Sequence, residues 1–155
     1  MSLESVRAFF LAKAPDLHII ELATSTATVA LAAQAHGVEP GQIAKTLSFL
    51  VDDAPILVVM AGEARTDNHK YKATFHKKAK MIPFDQVEDY IGHAPGGVCP
   101  FAVKPGVKVY LDESLKRHTE VYPAAGSSNS AVRLTIPALE KYSDYTAWVD
   151  VTKTA

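Results

Sequence analysis

The sequence predicts an α+β fold in a single domain spanning residues 1–155. Three observations lead to the α+β class. The stretch GQIAKTLSFLVDD, residues 41–53, alternates in the two-residue period of a strand. The turn DDAP follows it and ILVVMAG, residues 56–62, comes next, so the pair reads as a hairpin. Helical segments with their own start and stop residues lie between short strands rather than in a regular βαβ repeat. A chain of 155 residues is long enough for one real core.

The elements follow in order. Ser2 is placed to cap a first helix with Leu3, Val6 and Phe10 at helical spacing, closed by Ala14-Pro15. LHIIEL, residues 17–22, reads as a strand. TSTATVALAAQAHG reads as a helix entered through Thr24 to Thr26 and ended by Gly37, with His36 as its C-terminal residue. After the hairpin, residues 67–80 are polar and partly helical. Asp85 is placed to cap a short helix, QVEDYIG, ended by Gly92, and HAPGGVCPF, residues 93–101, is loop. GVKVYLD, EVYPAAG and SAVRLT read as strands, and IPALEKY as a helix with Pro137 in its first turn.

Composition excludes several classes. A formal net charge of -1 excludes a uniformly basic nucleic-acid binder and leaves room for a local patch. One cysteine, Cys99, permits no internal disulfide and no thiol metal cluster. The N-terminus lacks a signal peptide's basic start and apolar run, and no apolar stretch reaches the roughly 20 residues that span a bilayer. A cytoplasmic protein with no membrane partner is expected. The six histidines form no HExxH, and neither a G-x-S-x-G elbow nor a P-loop is present. Cys99 has no base beside it in sequence. No metal and no cofactor is expected.

Lys45 is the residue that stands out. On the strand face formed by Ile43, Lys45, Leu47, Phe49 and Val51 it is the one cation. The pattern leaves two readings open. Its stem packs inward while the ammonium reaches solvent at the sheet edge, or a desolvated cation meets an anionic or carbonyl ligand in a pocket. Two features favour the pocket. Thr24, Ser25 and Thr26 offer hydroxyls ahead of the strand, and the glycines of PGGVCPF allow close backbone approach to a ligand. Such a set suits chemistry that relies on positioning and charge stabilisation.

In order and spacing, QIAKTLSFLVDDAPILVVMAGEARTD, GGVCPF, VYLDESL and AGSSNSAVRLT resemble the YbaK/ProX family. These are free-standing aminoacyl-tRNA deacylases related to the bacterial prolyl-tRNA synthetase editing domain. The resemblance runs from about residue 20 to residue 150. It implies a compact α+β domain in which a distorted mixed β-sheet or barrel carries flanking helices, and it implies trans-editing: hydrolysis of the ester joining a wrong amino acid to the 3′ acceptor end of tRNA. It places the essential lysine at Lys45, and a substrate-positioning loop from Gly96 to Pro100, with Gly96, Gly97, Val98 and Pro100; Thr24, Ser25 and Thr26 are the substrate-binding hydroxyls that the residues themselves suggest. Some members carry an acidic residue after the AG turn; here that region reads SSNSAVRL, without a carboxylate. The implied partners are aminoacyl-tRNA and an aminoacyl-tRNA synthetase, with no DNA. Arg65, Lys70, Lys72, Lys77, Lys78 and Lys80 cluster in the basic stretch RTDNHKYKATFHKKAK, where phosphate contact is expected, with Lys70, Lys72, Lys77 and Lys78 as the expected tRNA-binding residues; Tyr71 is expected in a surface or core role rather than stacked on a base. Two other classes fit the same residues: a non-catalytic aminoacyl- or nucleotide-binding module that recruits or regulates a synthetase, and a hydrolase of another small acylated substrate.

Overall fold

The computed structural model describes residues 2–23 and 28–154. Its centre is a six-stranded mixed sheet curled into a half-barrel. The strands are β1 (Ile19–Glu21), β2 (Ile43–Val51), β3 (Ala54–Ala61), β4 (Ala64–Thr66), β5 (Lys108–Asp112), β6 (Glu120–Pro123), β7 (Ser130–Val132), β8 (Leu134–Thr135), β9 (Ala147–Val149) and β10 (Thr152–Thr154). The helices are α1 (Ser2–Lys13), α2 (Val29–His36), α3 (Asn68–Phe75), α4 (Val87–Ile91) and α5 (Ile136–Ser143). The central sheet runs β8-β6-β2-β3-β5-β9, and two small antiparallel ribbons, β1 with β7 and β4 with β10, flank it.

The hairpin that the sequence marks is the axis of this sheet. β2 and β3 pair antiparallel from Ala44 opposite Ala61 to Val51 opposite Ala54. Asp52 and Asp53 both take positive φ, 51° and 66°, the left-handed pair that a two-residue hairpin turn requires. β6 then adds parallel to β2, β5 parallel to β3, and β9 parallel to β5.

Alternation along β2 and β3 divides the apolar residues between two faces. Leu57, Val59, Leu50 and Ala44 join a large core with Val6 and Phe10 of α1, Val87 and Ile91 of α4, and Leu139 of α5. Phe49, Ile56, Val58 and Met60 face the other way and pack on Tyr71 of α3, with Val149 and Val151. Tyr71 is fully buried, which places it in this second core. Its ring lies 5.0 Å from Phe49 and 4.8 Å from Phe75.

Several expectations need correcting. Thr28 caps α2, accepting from Leu31 N–H at 3.1 Å; Thr24, Ser25 and Thr26 lie outside the described residues. Gly37 ends α2 in the left-handed conformation, as the sequence indicates. Asp85 sits inside a 3-10 turn, Phe84–Gln86, and not at a cap; Gln86 precedes α4. SAVRLT is two strands: β7 pairs with β1 and β8 with β6, with the exposed Arg133 at the break. The chain also forms β4, β9 and β10, which the sequence reading left as irregular.

Candidate functional site

The parallel pairing of β2 with β6 covers Ile43 and Ala44 alone. Further along the same edge, the segment at residues 80–82 takes over. Leu50 N–H donates to Lys80 O at 2.8 Å, and Ile82 N–H donates to Ser48 O at 3.1 Å. Ser48 and Leu50 therefore point their backbone groups away from β3, and by alternation Thr46 does too. Between the two neighbours no described residue pairs with the edge of β2 at Thr46, whose N–H and C=O are directed outward by this alternation.

A cavity of about 490 Å3 occupies that opening. β2 contributes Ile43 to Ser48 as its floor. α2 lends Val29, Ala32 and His36, and Tyr122 and Ala124 close the side towards β6. The loops Pro95–Gly96 with Val98, and Ser127 with Ser130, form a further wall, and Met81 and Phe84 form an exposed apolar lip at 54% and 79% exposure.

Lys45 lines this cavity half-buried. Its Nζ donates to the carbonyl oxygen of Ala64 on β4 at 2.5 Å. That bond leaves the ammonium two further protons. Burial, and secondarily the Arg65 cation, hold its pKa below the ordinary lysine value. Lys45 thus lines the cavity from the strand face that also carries Leu47 and Phe49 of the second core, with its ammonium held at the Ala64 carbonyl.

Two buried polar atoms of the cavity residues have no hydrogen-bond partner among the described residues: Thr46 Oγ1 and His36 Nε2. A buried polar group without a partner costs about 1–3 kcal/mol, so a polar ligand that pairs with either gains affinity. Burial lowers the His36 pKa and favours the neutral ring, which leans on Tyr122 with centroids 5.1 Å apart.

Gly96 and Val98 line the cavity; Gly97 and Pro100 are not among its walls. Gly97 is buried against the neighbouring loop. A Cβ placed there would lie 2.5 Å from Gly126 C and 2.6 Å from Ser127 N. The two loops, GGVCPF and AGSSNS, are thus stacked backbone on backbone. The second is braced by Ser127 Oγ at 2.6 Å from Ser130 Oγ and by Asn129 Nδ2 donating to Leu22 O at 2.9 Å.

Cys99 is sealed in the core. Burial pushes its thiol up to about 12, and His93 Nε2, 3.6 Å from the sulfur, lies 2.6 Å from the Phe101 carbonyl. Neither reaches the cavity lining. Among the described residues no three His, Cys, Asp or Glu side chains gather in a metal-binding group.

The expected tRNA lysines divide. Lys70 Nζ donates to Asp150 at 3.1 Å and to Thr152 O at 2.9 Å, and Lys77 pairs with Asp52 at 3.1 Å. Lys72 and Lys78 are exposed and carry no ion pair among the described residues.

Sequence reasoning missed Thr46, His36, Tyr122 and the Met81–Phe84 lip. Thr46 follows Lys45 and so belongs to the opposite strand face. Both reach one cavity because the cavity sits at the strand's edge, which alternation does not reveal.

Residues 23–142 match the aminoacyl-tRNA editing domain family. The chain belongs to that family. This editing domain is 46% identical over 154 residues to the uncharacterized protein YwhH of Bacillus subtilis (strain 168), covering 99% of this chain and 98% of that one. Its fold is similar to a crystal structure described as a proposed trans-editing enzyme for prolyl tRNA synthetase, at a TM-score of 0.88 and 29% identity, covering 98% and 97% of the two chains. The crystal structure of hypothetical protein APE2540 superposes at a TM-score of 0.85 with 25% identity, over 96% of this editing domain and 99% of that chain. Among the described residues no helix is long and apolar enough to cross a membrane.

Proposed function

We propose that this editing domain acts in trans, hydrolysing the ester bond of mischarged aminoacyl-tRNA in the cavity at the open edge of β2. The observation that carries this reading is that a half-buried lysine, Lys45, and a strand edge at Thr46 that no described residue pairs line one cavity, which among the described residues holds no nucleophile–base pair. Among the described residues no histidine hydrogen-bonds a serine, threonine or accessible cysteine, which favours direct attack by water.

An aminoacyl ester is already activated. Water adds through its oxygen to the ester carbonyl carbon, the bond from that carbon to the ribose oxygen breaks, and the ribose oxygen leaves with a proton originating from the water. Negative charge gathers on the carbonyl oxygen during addition. Preformed donors at that place lower the barrier, and the Lys45 ammonium and the Thr46 N–H are the donors here. Lys45 binds the terminal phosphate or polarises the substrate near the ester. Gly96 and Val98 border the aminoacyl group, while Gly97 and Pro100 hold the loop that presents them. The Met81–Phe84 lip offers an apolar surface for the unpaired 3′ bases, which stack on exposed aromatic side chains. Lys72 and Lys78 add attraction for the RNA backbone. Hydrolytic editing suits small side chains, because binding separates them by only about 1–3 kcal/mol per methylene.

A deacylation panel of mischarged tRNAs tests this. Turnover of one or a few aminoacyl-tRNAs supports the reading. Binding without turnover makes the protein a recruiting module, and turnover of small aminoacyl esters alone makes it a different hydrolase. On the substrate that is turned over, Lys45→Ala is expected to lower kcat/KM by about 100- to 1000-fold, the range for losing one preformed charge-stabilising donor. The melting temperature should stay within a few degrees of wild type, because among the described residues Lys45 makes one side-chain hydrogen bond, to Ala64. Wild-type turnover by Lys45→Ala would remove the lysine from the site.

A further inference from the structure

The ribbon of β4 and β10 carries a charge pattern that the fold does not explain. Arg65 and Lys153 stand directly opposite each other in the antiparallel register. Both are exposed, and among the described residues neither makes an ion pair. Like charges directly opposite on a ribbon are destabilising. The carboxylate near Lys153, that of Asp67, is engaged in capping α3 through His69 and Lys70 N–H groups.

The pair also occupies a strategic place. Arg65 follows Ala64, whose carbonyl holds the ammonium of the cavity-lining Lys45. Lys153 lines a second, polar cleft of about 420 Å3 with Lys70, Arg117 and the hydroxyl residues Ser114 and Thr152. Glu113 and Asp150 also line it; Asp150 pairs with Lys70 at 3.1 Å, and Arg117 approaches Glu63 at 3.8 Å. A row of cations therefore leads from Lys45 through Arg65 and Lys153 to Lys70 and Arg117, and among the described residues the two central members make no ion pair, although Asp67 lies close enough to Lys153 to interact with it electrostatically.

We propose that the β4–β10 ribbon and the adjoining polar cleft are the docking surface for the phosphate backbone of the RNA strand whose acylated end enters the cavity. This rests on the editing reading above. A polyanion relieves the Arg65–Lys153 repulsion, and the row ends at the site where the acyl ester must lie. The ribbon, rather than the lysines of α3 and the segment after it, then supplies the close phosphate contacts.

The test is salt-dependent binding of uncharged bulk tRNA by the full chain, comparing wild type with Arg65→Gln, Lys153→Gln and the double variant. Two lost duplex phosphate contacts reduce the slope of log K against log salt by about 1.8. The affinity difference between wild type and the double variant should therefore change about tenfold between 50 and 200 mM salt. Removing the cross-strand repulsion should leave the melting temperature unchanged or raised, which separates lost contacts from misfolding. A second arm follows kcat/KM at pH 7 on aminoacyl-tRNA and on aminoacyl-adenosine, which has no RNA backbone. Lys153→Gln is expected to lose at least tenfold more on the former than on the latter. An unchanged salt slope, equal losses on both substrates, or no tRNA binding by wild type overturns the proposal. If wild type binds tRNA with the expected slope but hydrolyses neither substrate, the ribbon stands and the hydrolytic reading falls. Binding of an acidic protein partner that tRNA does not displace assigns the row to protein recognition and likewise overturns the proposal.

Discussion

A lysine held at a strand edge by one carbonyl can serve as a charge donor only while it keeps its proton. Burial and then the Arg65 cation lower the Lys45 pKa, so the active ammonium form is lost on raising the pH sooner than an ordinary lysine would lose it. Activity should fall along an alkaline limb. Replacing Arg65 by Gln removes one of the two depressing influences and moves that limb to higher pH. Rates on aminoacyl-adenosine, corrected for uncatalysed alkaline hydrolysis, measure the shift. An unmoved limb would mean that another group sets it. Lys45 itself was legible in the sequence, because a single cation interrupts an apolar strand face. Thr46 and His36 were not. Nothing in their local pattern distinguishes a hydroxyl on the other face of a strand, or a histidine ending a helix, from ordinary residues until the chain is folded around a cavity.

At the scale of elements, sequence signals were clear where an element is long enough to show its period. The hairpin of β2 and β3 displays alternation and a two-residue turn, and α5 shows Pro137 in its first turn. β4, β9 and β10 have three residues each. Three residues hold too little of a period-two pattern to register, so the ribbon that seats Lys45 had no local signature. Glycines carried a partial message. GGVCPF was readable as a close-approach loop, but the approach at Gly97 is to the Gly126–Ser127 backbone rather than to the cavity. Gly97→Ala should therefore act on packing. Overpacking of this kind costs about 1–3 kcal/mol, giving a lowered melting temperature with similar proportional losses on small and medium aminoacyl-tRNAs. A shift in selectivity at unchanged melting temperature would instead place Gly97 in the amino-acid pocket. Gly96 has φ of 92°, with Ser128 Cβ 3.5 Å from an added methyl, so a substitution there strains the backbone more than it crowds a neighbour.

For the molecule as a whole, the buried histidines set a pH dependence of stability. Burial lowers the His93 pKa against the opposing effect of its bond to Phe101, and burial lowers that of His36 as well. Folding thus favours the neutral rings. Above the unfolded value of about 6.5 this preference costs nothing. As the pH falls below it, the unfolded chain takes up protons that the folded chain refuses, and stability declines. The stability that the depressed carboxylate of Asp67 contributes is fully present above its ordinary 3.8 and is lost only at more acidic pH. Cys99, pushed up to about 12, stays neutral throughout. The melting temperature should therefore drop between pH 7.5 and pH 5, and His93→Gln should reduce the size of that drop. An equal drop in the variant would assign the effect to other groups.

The attachment of β10 to β4 also has a consequence for how the protein comes into being. Lys45 is held by Ala64 on a strand whose ladder partner is Thr152–Thr154, and Asp112 clasps the approach to that strand through Val151 N–H and Thr152 Oγ1 at 2.8 and 2.7 Å. On the ribosome the chain emerges from its N-terminal end. The β2–β3 hairpin can close early, since its strands are neighbours in sequence, but β4 then waits for residues nearly ninety positions downstream. During that interval the lysine has no fixed seat. A nascent chain that already holds most of its hydrophobic core is thus still without an assembled site, and it acquires one when the segment around residue 152 docks.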